Sequence, residues 1–200
     1  MGRPRKKNRW QDHYAHKARK ERYAARSVYK LEEIQKKHRL ISNGAHVLDL
    51  GCAPGSWLQF AGRLTGSRGR VVGIDLKAVK VPLPGNVRTV AADIDALDWE
   101  ADPLLAGGFD VLLSDMAPST TGNKHADSAR SFVLCGRALE IAGLVLRPGG
   151  HFVCKIFQGE DFKAFCDLVK DGFTRMHIFK PQSSRKGSKE IFVIGVGKRA

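Results

Sequence analysis

Residues 49–57 read DLGCAPGSW and follow the apolar run His46-Val47-Leu48. A short apolar strand that closes on an acid and breaks into a Gly/Pro loop before helix-like sequence builds a pocket of the nucleotide-binding type. Gly51 and Gly55 permit positive φ and remove the Cβ atoms that would hold a ligand off the main chain, while Pro54 stiffens the turn. The spacing is G-x-x-x-G, which satisfies neither the dinucleotide fingerprint G-x-G-x-x-G nor the phosphate loop G-x-x-x-x-G-K-[ST]. A pyrophosphate is therefore not the favoured guest. A nucleoside without phosphates, held by backbone groups on one side and carboxylates on the other, fits better. An ordinary strand-to-helix turn is the plainer alternative, because one glycine motif is a weak signal.

Outward from this loop, strands and helices alternate. Ser27 is placed to cap a helix with apolar positions Val28, Leu31 and Ile34, ending near Asn43-Gly44. Short apolar segments at 46–50, 70–75, 87–92, 109–114 and 150–157 read as strands. Helical stretches are expected near 56–66, 128–146 and 160–171, with Phe132, Val133, Leu139, Leu144 and Leu146 as the core face of the second. Two late segments, 173–180 and 190–196, flank the polar loop PQSSRKGSK. The alternation predicts an α/β fold: a mostly parallel sheet, helices on both faces, and ligands at the carboxyl ends of the strands.

Two hundred residues with 42% hydrophobic content suit one globular domain with a substantial core. No apolar stretch reaches spanning length, and residues 1–10 lack the apolar segment of a secretory signal, so a soluble cytoplasmic protein is expected. Cys52, Cys135, Cys154 and Cys166 form no C-x-x-C pair and read as small core residues. No His/Cys/Asp cluster of metal-ligand spacing is present, and His125 and His151 read as surface or turn residues.

The net charge of +14 is unevenly spread. Residues 1–40 hold 14 Lys/Arg against 4 Asp/Glu, residues 175–200 hold 7 against 1, and the stretch between holds 13 against 15. Cationic ends around a near-neutral middle suit a protein that grips a polyanion around a central site. Trp10, Tyr14 and Tyr23 among the cations favour RNA, since aromatic faces stack on unpaired bases. Residues 1–26 are thus read as a basic, flexible RNA-binding extension and residues 27–200 as a single domain; a tail that serves only solubility is the bland alternative. A membrane surface is disfavoured, because the tail has no sustained apolar face.

Strand-end acids supply the ligand chemistry. Asp75 closes VVGID where an open α/β sheet places an acid for a ribose diol. Asp93 follows the next strand, where a carboxylate can accept hydrogen bonds from an adenine amino group, with Trp57 packed nearby. A lone strand-end Asp is as often a turn or cap residue, but Asp49, Asp75 and Asp93 follow three successive strands. Asp115 closes FDVLLSD, and Lys155 lies mid-strand in HFVCKIFQG. A lysine among Phe152, Val153, Ile156 and Phe157 is unfavourable unless paired or functional; a lysine reaching to solvent from the strand end is the alternative. Free lysine has a pKa near ~10.4, and burial beside a second cation, for which Lys30 is the candidate, is the route to a competent base.

The motifs DLGCAPGSW, GID, AAD, SDMAPSTTG, CKIFQG and KPQSSRKGSKEIF, in that order, resemble the FtsJ/RrmJ (RlmE) family of S-adenosylmethionine-dependent ribosomal RNA 2′-O-ribose methyltransferases, from about Ser27 to the C-terminus. The resemblance implies a Rossmann-like methyltransferase fold with an antiparallel C-terminal strand. It implies a catalytic tetrad of Lys30, Asp115, Lys155 and Glu190, with Lys155 the proton acceptor, and cofactor contacts from Gly55, Trp57, Asp75, Asp93 and Asp115. The implied cofactor is S-adenosyl-L-methionine, and the implied acceptor is a uridine 2′-hydroxyl in large-subunit (23S) ribosomal RNA of the assembled subunit. A monomer is the default. Ser56 stands where the family's loop usually has glycine, and Phe192 where tyrosine is frequent; neither departure removes a charged group. The competing readings are methylation of another acceptor, such as tRNA ribose, an RNA base or a protein, and a non-catalytic RNA-binding assembly factor. SDMAPS is a poor match to base-methylation motifs, and a pure binder has no use for two buried lysines.

Overall fold

The computed structural model describes residues 9–105, 108–185 and 187–200, with side chains from His13 onward. Residues 3–8, Lys186 and the side chain of Trp10, all part of the expected RNA grip, lie outside the described residues. The elements run α1 (Arg9–Lys20), α2 (Val28–His38), β1 (His46–Leu50), α3 (Ser56–Thr65), β2 (Arg70–Asp75), β3 (Val87–Ala91), β4 (Phe109–Ser114), α4 (Lys124–Val145), β5 (Leu146–Phe157), α5 (Phe162–Gly172), β6 (Phe173–Phe179) and β7 (Glu190–Lys198). The seven strands form one sheet in the order β3-β2-β1-β4-β5-β7-β6. All pairings from β3 to β5 are parallel, and β7 runs antiparallel to both β5 and β6. The α/β architecture with an antiparallel C-terminal strand is the expected one.

Strand alternation sends side chains to two cores. Leu48, Leu50, Leu112, Phe152 and Cys154 pack with Cys135, Ala138 and Ile141 of α4 and with Phe165 and Val169 of α5. Val47, Val71, Leu113, Val153 and Phe192 pack with Leu31 and Ile34 of α2 and with Trp57, Leu58 and Ala61 of α3. Full burial of a single Phe or Leu side chain is worth roughly 1.5–3 kcal/mol. The four cysteines are free and buried, as their apolar settings suggested.

Two helix boundaries depart from expectation. α2 stops at His38, because Arg39 turns left-handed at φ 52° and the Gln35 side-chain amide bonds both the N–H and the C=O of Ile41. α4 starts at Lys124, because the Asn123 side chain accepts from the amides of His125 and Ala126. Its core face is Cys135, Ala138, Ile141, Ala142 and Val145; Val133 and Leu144 are 68% and 56% exposed. Of the residues expected on that face, Phe132 and Leu139 pack half-buried against the core and Leu146 is buried at the start of β5, while Val133 and Leu144 face outward and small residues let α4 lie close to the sheet. His151 is a strand residue of β5, and its Nδ1 accepts from the Gly197 amide at 3.3 Å.

The basic N-terminal segment carries a helix that the sequence did not announce. Ala18, Val28 and Tyr29 form a small cluster with Tyr14 and Tyr23 against it. The Tyr14 ring lies 5.3 Å from that of Tyr29, and the Arg63 guanidinium 4.7 Å from the Tyr23 ring. Tyr14 and Tyr23, expected to offer faces to RNA bases, are half-buried here and hold this segment to the domain.

Candidate active site

The chain leaves β1 toward β2 and β3, then returns to β4 on the other side of β1. This reversal opens a crevice at the carboxyl ends of the strands, where open α/β sheets bind ligands. A cleft of about 480 Å³ lies there, lined among others by Gly51, Ala53, Asp75, Asp93, Asp115 and Met116, and by Val133, Leu134 and Arg137 of α4. Gly51, at φ 75°, has no room for a side chain, since a Cβ would come within 2.6 Å of Met116 Cγ.

The acids differ in setting. Asp75 Oδ2 accepts from the Ala53 amide at 2.9 Å and Oδ1 from the Lys77 amide at 2.8 Å. Each oxygen keeps a lone pair for a ligand. Asp93 lies two residues past β3 and lines the same cleft, its Oδ1 accepting from the Asp95 amide at 3.0 Å. Asp49 corrects the view of three equivalent strand-end acids. It lies inside β1, fully buried, with neither oxygen hydrogen-bonded. Burial pushes its carboxyl well above the ordinary carboxylate range, and the charges of Asp115 and Asp75 push the same way.

Gly55 and Trp57 stand behind the cleft. Gly55, the N-cap of α3, has φ 109°, and a Cβ there would meet Val79 and Val81. Trp57 is buried, donates from Nε1 to the Ser27 carbonyl at 2.8 Å, and faces Phe192 at 5.9 Å. Ser56 replaces glycine without difficulty, since it is the first residue of α3 and its Oγ is 2.9 Å from that of Ser27. Phe192 is fully buried.

Four charged residues, three on α2, β5 and β7 and one just past β4, converge beside this cleft. Lys155 Nζ lies 2.8 Å from Asp115 Oδ1 and also donates to the Asp115 carbonyl. Lys30 Nζ lies 2.9 Å from Glu190 Oε2 and 3.8 Å from the same Asp115 oxygen. The sheet explains the meeting: Lys155 is opposite Phe192 and Phe157 opposite Glu190, so Lys155 and Glu190 share the face that α2 covers. Their side chains are between 7% and 18% exposed, so the charges interact through little water. The arrangement holds one amine against a carboxylate at the edge of a nucleoside-sized cleft, which suits proton transfer from a bound hydroxyl. Residues 23–198 match the family described as FtsJ-like methyltransferase. The chain belongs to that family.

Relatives of the family match nearly end to end. A protein named Ribosomal RNA large subunit methyltransferase E from Desulforapulum autotrophicum is 56% identical over 194 residues, covering 97% of this chain and 96% of its own. One of the same name from Myxococcus xanthus is 41% identical, covering 100% and 93%. A solved structure from Plasmodium falciparum, named a ribosomal RNA methyltransferase, superposes with a TM-score of 0.78 at 27% identity, over 88% of this chain and 98% of that one.

Sequence reasoning missed the far wall of the cleft. Val133 was assigned to the core, and Arg137, which bonds Asp95 Oδ1 at 2.6 Å and Glu140 at 3.1 Å, was not singled out. The available signal was helical spacing: Val133, Leu134 and Arg137 fall on one side of α4. Among the described residues no helix is long and apolar enough to cross a membrane.

Proposed function

We propose that the protein transfers a methyl group from S-adenosylmethionine to the 2′-hydroxyl of a uridine ribose in large-subunit ribosomal RNA, acting on the assembled subunit. The observation that carries this reading is the Lys155–Asp115 pair at 2.8 Å, braced by Lys30 and Glu190, beside a cleft bearing Asp75 and Asp93. The relatives' printed names support ribosomal RNA as the acceptor.

The site residues fit the cofactor: Asp75 has two lone pairs for a ribose diol, Asp93 can accept from an adenine amino group, and the bare Gly51 backbone admits close approach. When bound, S-adenosylmethionine supplies an electrophilic sulfonium methyl and a neutral leaving group. Lys155, entering as the free amine, takes the proton from the 2′-hydroxyl as the ribose oxygen is methylated. Asp115 fixes that amine at both its carboxylate and its carbonyl. Lys30 faces the incoming phosphodiester, and Glu190 keeps Lys30 in place. Holding the hydroxyl beside the amine and in line with the methyl group supplies much of the acceleration. The basic N-terminal segment and residues 183–189 grip RNA phosphates, so binding weakens as salt rises.

The test is transfer of labelled methyl from S-adenosylmethionine to purified large subunits, naked large-subunit rRNA and tRNA, followed by alkaline hydrolysis. An alkali-resistant dinucleotide carrying the label on a uridine of the subunit supports the reading. Label on a base or on tRNA moves the acceptor, and no label on any RNA leaves a binding protein.

A further inference from the structure

A second cleft, of about 200 Å³, is lined by Thr120, Lys124, Asp127, Phe157, Ser188 and Lys189. None of the six belongs to the charged tetrad or to the cofactor cleft. Phe157 lies two residues beyond Lys155 on β5, and residues so spaced share a strand face about 6.6 Å apart. Phe157 is also the cross-strand partner of Glu190. The aromatic side of the cleft therefore continues, one step toward the strand end, the surface on which Lys155 and Lys30 meet. A ribose presenting its 2′-hydroxyl to Lys155 has this cleft as a neighbour.

The walls are two loops with their own anchors. Buried Asp127 gathers the loop after β4: Oδ1 accepts from the Thr121 amide at 2.9 Å, its hydroxyl at 3.0 Å and Arg130 at 2.7 Å, and Oδ2 from the Gly122 amide at 3.3 Å. These bonds, the Thr121 amide foremost, hold its carboxyl below the ordinary range. Across the cleft, the Lys189 carbonyl accepts from the Gln158 amide at 3.0 Å and the Ser188 carbonyl from Lys180 at 3.0 Å. Ser188 Oγ accepts from the Glu190 amide at 3.2 Å, which leaves its hydroxyl hydrogen to give.

Asp127 Oδ1 is fully committed to the loop, and around it the lining residues supply an aromatic ring, the hydroxyls of Thr120 and Ser188 and the ammonium groups of Lys124 and Lys189. An aromatic face takes a planar base. Hydroxyls at its edge can donate to carbonyl oxygens, of which uracil presents two and cytosine one. Water occupies ~30 Å³ per molecule, so the cleft holds roughly the volume of six or seven waters, the scale of one base. We propose that this cleft seats the base of the acceptor nucleotide, a uracil packed on Phe157 and read through its carbonyls, with Lys124 and Lys189 on the adjoining phosphodiester. The inference rests on RNA ribose being the acceptor and adds the residues that select the nucleotide.

The test uses large-subunit rRNA with the methylated nucleotide, once mapped, kept as uridine or changed to cytidine. Wild-type protein is expected to prefer uridine in kcat/KM. Lys124→Ala combined with Thr120→Val is expected to cut that preference about tenfold and raise the KM for RNA, with S-adenosylhomocysteine affinity by calorimetry within twofold of wild type. An unchanged preference in the variant, or none in the wild type, overturns the proposal. No transfer by the wild type to any RNA instead overturns the ribose-methylation reading beneath it. Wild-type protein irradiated with rRNA carrying 5-iodouridine at the mapped position gives a readout independent of the variant's folding. Crosslinking at Phe157 supports the subsite, and crosslinking only elsewhere contradicts it.

Discussion

Lys155 meets Asp115 twice, through the carboxylate at 2.8 Å and through the backbone carbonyl of the same residue. The carbonyl accepts a hydrogen bond and the carboxylate stands beside the same nitrogen as its ion-pair partner, so Asp115 alone fixes where that nitrogen sits. Because Asp115 directly follows β4 and Lys155 sits on the adjacent β5, one residue past the Ser114–Cys154 pair, the sheet sets this geometry.

Asp115→Asn keeps the shape of the pair and removes its charge. Single-turnover methyl transfer at saturating cofactor and RNA is expected to fall by about 10²-fold or more, within the range of general acid–base catalysis. A stopped or quenched single-turnover assay checks this; a rate within threefold of wild type would show that the pair is only structural.

Asp75 holds two backbone amides and is read as the ribose ligand. Asp75→Asn is expected to weaken S-adenosylhomocysteine binding about tenfold or more, since a hydrogen bond to a charged group contributes roughly 1.5–3 kcal/mol. Calorimetric titration measures it, and RNA affinity by filter binding should stay within twofold.

Glu33 fastens the loop before β7, accepting from the amides of Gln182 at 2.7 Å and Ser183 at 2.9 Å, while Arg26 donates to the Ser183 carbonyl at 2.5 Å. Glu33→Ala is expected to release this loop, raising the rate of tryptic cleavage at Arg185 at least tenfold and weakening RNA binding severalfold. Limited proteolysis with mass spectrometry reads the first effect, and cofactor affinity should not change.

Asp49 predicts a pH signature. Its folded pKa is raised by burial above the unfolded value of about 3.9. The unfolded chain therefore loses this proton first, and wild-type stability declines as pH climbs from near 4 toward the folded value. Asp49→Asn has no such proton to lose. Its stability relative to wild type is expected to rise between pH 5 and pH 9 in denaturant titrations; a difference constant with pH would contradict the assignment.

Much of this was legible in the sequence because local signals coincided with tertiary ones. Residues 46–50, 70–75 and 109–114 form strands over the very spans read from their apolar runs, and Asp75 and Asp93 reach the cleft because strand ends face the crevice. Lys30 and Glu190 are 160 residues apart, yet the family motifs place both in one set, and the structure brings them to 2.9 Å. What was hidden depends on packing. Asp49 carries the same local sequence signal as Asp75, and only the pairing of β1 with both β2 and β4 buries it. Part of the α4 face was masked, because Ala138 and Ala142 are buried while the larger Val133 is exposed; Phe132 and Leu139 do pack against the core. The docking of Tyr14 and Tyr23 was hidden because their partners, Tyr29 and Arg63, are distant enough in sequence to give no local sign.

The most direct measurement is methyl transfer to the large subunit by Lys155→Ala under single-turnover conditions, with S-adenosylhomocysteine affinity measured on the same preparation. If Lys155 accepts the ribose proton, the rate falls by about 10²- to 10⁴-fold while cofactor affinity stays within twofold of wild type. Transfer at the wild-type rate would contradict the account.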